Sequence, residues 1–344
     1  MSQPELPPSA QLMNLLWGKA VSTSLSALAK LGVPDQMHPT EPRSAEALAA
    51  ATHAHAPSLY RVLRMLASLG VFAEHPGERF TLTPLGQCLR ADSPTSLHGV
   101  AMMITDTWQM QGYEFLDHAL RTGESGLAAA TGIPTFEAIS RNPVHLENFQ
   151  AAMSNYSAME GSALAPLLNF SGFQRLADVA GGHGSLLAQI LHQNPHLEGI
   201  LFDLPEVIAH APTPASLGLA QRLRFESGNM FLQVPAACDA YILKHIIHDW
   251  DDARCLTVLR LIREQLAAHA LSHGRVFLVE MVMPSSPEPH PAKFLDIEML
   301  AMTGGGKERT EAEFAALFEH AGFTLVGIQP SPSPACLIEA RLAF

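Results

Sequence analysis

One stretch constrains this chain more than any other: Leu176-Ala177-Asp178-Val179-Ala180-Gly181-Gly182-His183-Gly184-Ser185-Leu186-Leu187. An apolar strand ends in an acid, a glycine-rich turn follows and a helix begins, an order that lets backbone approach a ligand where helix amides point outward. A dinucleotide fingerprint needs a third small residue at position 187, and Leu187 is too bulky for the tight helix–strand packing that residue serves. Pyrophosphate is disfavoured. Asp178 is also the wrong charge beside phosphates and suits a ligand with an α-amino group or another donor. Nineteen residues after Gly184 comes Asp203, in Phe202-Asp203-Leu204-Pro205 at the end of a second apolar run, where an acid grips the two hydroxyls of a ribose. An adenosine without pyrophosphate and with a cationic tail is S-adenosylmethionine, with S-adenosylhomocysteine as product. The competing reading, a tight turn before a helix and an aspartate serving as a helix cap, accounts for each piece but not for their spacing.

Around this stretch the rhythm of the chain divides it. Apolar residues recur at helical spacing over residues 11–31, then over 44–51 and 57–69, and two short runs flank the turn at His75, Pro76 and Gly77. Helix, helix and a two-stranded ribbon describe a winged helix-turn-helix. A mostly helical middle follows, and beyond it short apolar runs alternate with helical stretches, the pattern of a doubly wound parallel sheet covered on both faces. Thr310 and Glu313 form a capping box ahead of Phe314, Leu317 and Phe318. Residues 211–215 and 284–291 read as proline-rich surface loops. The expected organisation is a winged-helix-like dimerisation domain over residues 1–100, a helical linker and acceptor-pocket segment over 101–165, and a Rossmann-like α/β domain over 166–344.

Composition narrows the partners. A formal net charge of −12 opposes any large sequence-independent attraction to phosphate backbones or anionic lipid, so nucleic acid and membrane are not expected partners. Four cysteines without CxxC spacing indicate neither a zinc ribbon nor a disulfide framework and suit a reducing cytoplasm. Residues 1–10 hold three prolines and no base ahead of an apolar block, unlike a secretory signal.

The second informative stretch is Asp239-Ala240-Tyr241-Ile242-Leu243-Lys244-His245-Ile246-Ile247-His248-Asp249-Trp250-Asp251-Asp252, an apolar strand followed by residues that project from the carboxyl edge of a sheet. Methyl transfer from a sulfonium needs no metal, because the donor is already electrophilic; it needs an acceptor that has lost its proton. A phenol with a pKa near ~10 is poorly ionised at neutral pH, and a histidine base contributes about 10²–10⁴-fold by taking its proton. His248 is the candidate. Taken alone it is one of seventeen histidines, at a loop start. A base of this kind works better when a carboxylate fixes its second nitrogen. Glu280, inside the apolar strand 275–283, and Glu308, after the glycines at 304–306, are acids that need partners. Asp251 and Asp252 read as helix N-terminal residues.

With these motifs in place, the chain resembles the class I S-adenosylmethionine-dependent O-methyltransferases of the plant caffeic acid type, whose bacterial relatives act on natural-product hydroxyls. The resemblance spans essentially the whole chain and rests on the segments 178–184 and 202–205, on Gly228-Asn229-Met230-Phe231, on Lys244 through Trp250, and on Gly305-Gly306-Lys307-Glu308-Arg309-Thr310. It implies that Asp178, Gly182, Gly184, Asp203, Leu204, Asn229, Met230, Lys244 and Ser157 serve the cofactor. It also implies that His248 is the base flanked by Glu280 and Glu308, and that Met110, Phe149, Met153, His245, Asp249, Met299 and Thr303 line the acceptor site, with Asp296 in support. Core packing is the competing role for the Met and Phe residues. Ala180 replaces the first glycine of the loop, Asn229 stands where the family has Asp, and His245 and Thr303 replace bulkier aromatic and amide residues.

The function that follows is O-methylation of an aromatic hydroxyl of a small natural product by a homodimer. Two alternatives stay open. One is the same fold with another outcome: N- or C-methylation, decarboxylation or hydroxylation. The other is a winged-helix DNA-binding regulator, for which helix 57–69 offers only Arg61 and Arg64 as bases.

Overall fold

The structure, a computed structural model, describes residues 6–269 and 273–343. It falls into two compact units: residues 1–110 with 136–158, and residues 111–135 with 159–344. The helical middle is thus shared between them, and the division falls within the helix Pro143–Leu164.

In the first unit β1 (Arg43–Ser44), β2 (Phe72–His75) and β3 (Arg79–Leu82) form an antiparallel sheet in the order β1-β3-β2, one strand more than the expected ribbon. The helix Ala45–Thr52 begins where the Ser44 side chain accepts from the amide of Ala47. Leu48, Leu59, Leu63, Leu66, Phe72 and Phe80 close its core. Leu12, Leu15, Leu16 and Trp17, along the helix Pro8–Leu16 and its cap, are exposed.

In the second unit seven strands form one sheet, in the order β6-β5-β4-β7-β8-β10-β9. They are β4 (Arg175–Val179), β5 (Glu198–Asp203), β6 (Leu223–Ser227), β7 (Ala240–Lys244), β8 (Arg275–Met281), β9 (Phe323–Pro330) and β10 (Ala335–Leu342). The first five are parallel, while β10 runs antiparallel to both β8 and β9. Because side chains alternate across a sheet, each central strand feeds two cores. Ala177, Val179, Tyr241, Leu243, Val276 and Leu278 meet Val258, Leu259 and Ile262 of the helix Asp252–Ala268 and Phe314 and Phe318 of the helix Glu311–Ala321. Leu176, Ala240, Ile242, Phe277 and Val279 meet Leu187, Ile190 and Leu191 of the helix Ser185–Gln193.

The order fixes where a ligand can sit. The chain leaves β4 toward β5 and leaves β7 toward β8, so the strand order reverses between β4 and β7 and a crevice opens at their carboxyl ends, at Val179 and Lys244. Among the described residues no helix is long and apolar enough to cross a membrane.

Candidate active site

The turn after β4 is shaped by close packing. A Cβ on Gly181 would fall 2.5 Å from Asp178 Cγ and 2.6 Å from Leu201 Cδ1, so only glycine fits there. Ala180 adopts φ +57°, in the left-handed region, and its amide donates to the carbonyl of Phe202 at 2.7 Å. The Gly182 amide donates to Asp203 Oδ2 at 2.8 Å, and the Leu204 amide donates to Oδ1 at 2.7 Å, which joins the turns after β4 and β5. The Gly228 amide donates to the Asp203 carbonyl at 2.9 Å, bringing in the turn that carries Asn229 and Met230. Asn229 Oδ1 accepts from the amide of Phe231 at 2.9 Å. Asp178 is buried, and neither carboxylate oxygen has a hydrogen-bond partner among the described residues. Burial, with Asp203 adding to it and Lys244 opposing it, pushes Asp178 up to about 7.

A second set of residues gathers at the ends of β7 and β8. Past Lys244 the backbone of His245 takes φ +53° and the chain enters a 3₁₀ turn, Ile247–Asp249. That turn is held from below by Glu280, whose Oε1 accepts from the amides of Ile246 at 3.0 Å and Ile247 at 2.8 Å. It is held from the side by the loop that carries Glu308. The Lys307 amide donates to the His248 carbonyl at 2.8 Å, and a Cβ on Gly306 would fall 2.5 Å from that carbonyl oxygen. Thr303 braces this loop: its hydroxyl donates to the Met299 carbonyl at 2.8 Å and accepts from the Gly306 amide at 3.0 Å. Asp296 accepts from the Glu308 amide at 2.9 Å.

His248 is buried, with Nδ1 2.8 Å from Glu308 Oε1 and 3.5 Å from Glu280 Oε2, and Nε2 3.5 Å from Asp249 Oδ1. With the Nδ1–H donating to Glu308, Nε2 is the nitrogen left to take a proton. Burial alone would lower the imidazole, but Glu280, Asp249 and Glu308 outweigh it and hold His248 up at about 10. Glu160, from the helix Pro143–Leu164, completes the set. Its oxygens lie 2.8 and 3.0 Å from His245 Nε2, and Oε2 is 3.2 Å from Lys244 Nζ. Burial opposes its ionisation, and His245 and Lys244 still hold it down at about 2.

Four acids (Glu160, Asp249, Glu280, Glu308) therefore face three bases (Lys244, His245, His248). The excess of acid shows in Asp249, which burial pushes up to about 6, and in Glu308, which burial and Glu280 raise, while the two histidines hold Glu280 down against its burial. His245, His248 and Glu280 bring three potential ligand atoms within 4.8 Å of one another. The imidazoles are stacked with centroids 5.3 Å apart and planes 26° apart, and each is already engaged by a carboxylate, His245 by Glu160 and His248 by Glu308.

The structure thus assembles His248, Glu280, Glu308, Asp249, His245 and Lys244 in one place, and Asp178, Gly182, Asp203 and Leu204 around the β4 turn. Gly184 closes that turn as N-cap of the helix Ser185–Gln193. Met110, Phe149, Met153 and Ser157 belong to the other unit, where Phe149 meets Trp108 edge-on at 6.4 Å. Asp251 caps its helix, accepting from the Arg254 amide at 2.8 Å, and Asp252 stands in the first turn of the same helix and also pairs with Arg309 at 2.7 Å. Glu160 and Arg309 are the residues whose roles sequence reasoning missed. The signal for the first was present: Glu160 is the one charged residue in 148–174.

Residues 113–324 match the O-methyltransferase domain and residues 13–92 match the O-methyltransferase dimerisation domain. A phenazine O-methyltransferase of Lysobacter antibioticus is 37% identical over 98% of this chain and 97% of its own length. An 8-amino-8-demethylriboflavin N,N-dimethyltransferase of Streptomyces davaonensis is 33% identical over 93% of this chain and 92% of its own. The crystal structure of a methyltransferase of calicheamicin biosynthesis, in its S-adenosylhomocysteine-bound form, superposes with a TM-score of 0.86 at 31% identity, covering 98% of this chain and 100% of that one.

Proposed function

The chain belongs to the O-methyltransferase family, and from that premise we propose that it methylates an aromatic hydroxyl of a small natural product from S-adenosylmethionine, with His248 as general base. The observation that carries the proposal is the buried His248–Glu308 pair at 2.8 Å, which orients Nε2 away from the acid that fixes the ring.

The β4 turn fits the cofactor. A buried carboxylate with no partner among the described residues, Asp178, suits a group that brings positive charge or donors, and Asp203 stands at the neighbouring strand end, where an acid would suit ribose hydroxyls. When bound, S-adenosylmethionine supplies a methyl group attached to a positively charged sulfur. The chain's own residues do the rest. The β4 turn and Asp203 hold the donor, His248 Nε2 receives the acceptor's proton, and Glu308 and Glu280 stabilise the imidazolium that results. An imidazole held at about 10 is mostly protonated at neutral pH, so the base is its small neutral fraction, whose proton affinity is close to that of a phenol at ~10, and turnover is expected to rise toward alkaline pH.

Replacing His248 with Ala tests this directly. The expected result is S-adenosylmethionine affinity close to that of the parent in calorimetry, with turnover of a phenolic panel reduced about 10²–10⁴-fold; undiminished turnover removes the base from the mechanism. The resemblance to an N,N-dimethyltransferase favours a second reading, an aromatic amine acceptor. A neutral amine already presents its lone pair, so His248→Ala would then spare much of the rate, and product mass spectrometry would place the added methyl on nitrogen.

The exposed Leu12, Leu15, Leu16 and Trp17 lie within or beside the matched dimerisation segment and support a homodimer. Light scattering showing a monomer at micromolar concentration would contradict it. Four free cysteines accord with a reducing cytoplasmic setting.

A further inference from the structure

The two stacked imidazoles face different surroundings. His248 is aligned by Glu308, whereas His245 lies between two other acids, Glu160 at Nε2 and Glu280 at Nδ1, the latter 3.7 Å from Glu280 Oε2. Among the described residues neither His245 Nδ1 nor Glu280 Oε2 has a hydrogen-bond partner, although both atoms are buried. A neutral His245 donating to Glu160 would turn the lone pair of Nδ1 toward a carboxylate oxygen, which is repulsive. A doubly protonated ring makes both contacts attractive. His245 also adopts φ +53°, so its backbone is held in a strained conformation to place the ring there.

We infer that His245, held as an imidazolium between Glu160 and Glu280, is a positioning residue that sets the proton affinity of His248. The inference rests on the reading of His248 as the base. The charged groups facing His245 are Glu160 on the helix Pro143–Leu164, Lys244 at the end of β7, Glu280 on β8, and His248 in the 3₁₀ turn, with Asp249 and Glu308 beyond it. Glu280 is shared, its Oε2 standing 3.7 Å from His245 Nδ1 and 3.5 Å from His248 Nδ1. A positive His245 partly neutralises that carboxylate and places a like charge beside His248. Both effects lower the affinity of His248 for a proton. Without them the base would stay protonated to higher pH. Burial opposes the charge on His245, and Glu160 and Glu280 together still raise its proton affinity above that of a free histidine.

The test has two arms. In the first, pH–rate profiles are compared for the parent and for His245→Phe, which keeps a ring for the stack and removes the charge. The limb on which the rate rises with deprotonation of the base is expected to move up by about one pH unit, so that turnover falls about tenfold near neutrality and recovers at alkaline pH. A lowered rate with an unmoved limb overturns the inference, because a merely structural lesion acts alike at every pH. The second arm needs no catalysis, and its first measurement needs no variant. In histidine-labelled parent protein, nitrogen-15 resonance is expected to show the His245 ring, assigned through its backbone, doubly protonated at pH 7, and a neutral ring overturns the inference. Glu160→Gln is expected to lower the His245 titration midpoint by at least about one unit, and an unchanged midpoint overturns it as well. Failure of the base reading itself is separate: it appears as undiminished turnover in His248→Ala, whatever charge His245 carries.

Discussion

Arg309 donates from Nη1 to the carbonyl of Ile247 at 2.8 Å, across 62 residues of sequence, and so ties the loop that carries Glu308 to the turn that carries His248. The same guanidinium donates from Nη2 to the Trp250 carbonyl at 2.9 Å and to Asp252 Oδ1 at 2.7 Å, and its residue is 1% exposed. Lysine cannot reproduce that fork.

Arg309→Met is therefore expected to lower stability by about 1–3 kcal/mol, because two carbonyls lose a buried donor, whereas Asp252, half exposed and still 3.4 Å from Lys307, loses little. Urea unfolding checks the size. Arg309→Lys is expected to recover only part of it, and turnover should fall in both variants as the distance between His248 and Glu308 loosens.

The β4 turn makes opposite demands at adjacent positions. Ala180 sits at φ +57°, so Ala180→Gly is expected to leave stability unchanged or raise it by up to about 1 kcal/mol. Gly181→Ala drives a methyl into the Asp178 carboxyl and Leu201 and is expected to cost about 1–3 kcal/mol and to weaken donor binding. Thermal unfolding with and without S-adenosylmethionine separates the two.

Asp178, raised to about 7, is protonated in much of the free protein at neutral pH and below. Binding of a cationic donor favours the carboxylate, so binding should release protons and tighten as pH rises through about 7. Calorimetry in two buffers of different ionisation heat measures the release. Asp178→Asn should abolish it; equal proton release by the variant would assign the linkage elsewhere.

Glu160 makes the fold acid-sensitive. Its folded value of about 2 lies below its ordinary value of 4.5, so its contribution is complete above 4.5 and is lost as pH falls toward 2. That contribution is about 3 kcal/mol. Denaturant midpoints measured from pH 6 down to pH 2 should fall less steeply in Glu160→Gln than in the parent, and the variant should be the less stable of the two at neutral pH.

Much of this was legible in the sequence because it was written locally. The alternation of short apolar runs with helical stretches located β4, β5, β7 and β8, since each is buried on both faces. The Thr310–Glu313 capping box is present in the structure as read. The acids at 178, 203, 280 and 308 stood out because each interrupts an apolar or glycine-rich run. What stayed hidden depends on distant partners. Strand β6 is half exposed and carries Arg224 and Glu226, so it lacks an apolar run. The helix Pro291–Met302 was obscured by the prolines before it, although a proline at its first position is compatible with a helix start. Arg309 reads as an ordinary surface base until the carbonyls of Ile247 and Trp250 are seen to converge on it.

The buried charges come from parts of the chain that are far apart: Glu160 meets His245 across 85 positions, Glu280 meets Ile246 across 34, and Glu308 meets His248 across 60. No local fragment contains the whole set. During synthesis these side chains therefore remain hydrated until β8 has docked and the 304–309 loop has closed over it, so desolvation is deferred to a late step of folding. A chain arrested before residue 308 would carry the cofactor turn and the histidine yet lack the acid that orients it, along with the helix Glu311–Ala321 and strands β9 and β10 that complete the core around β8.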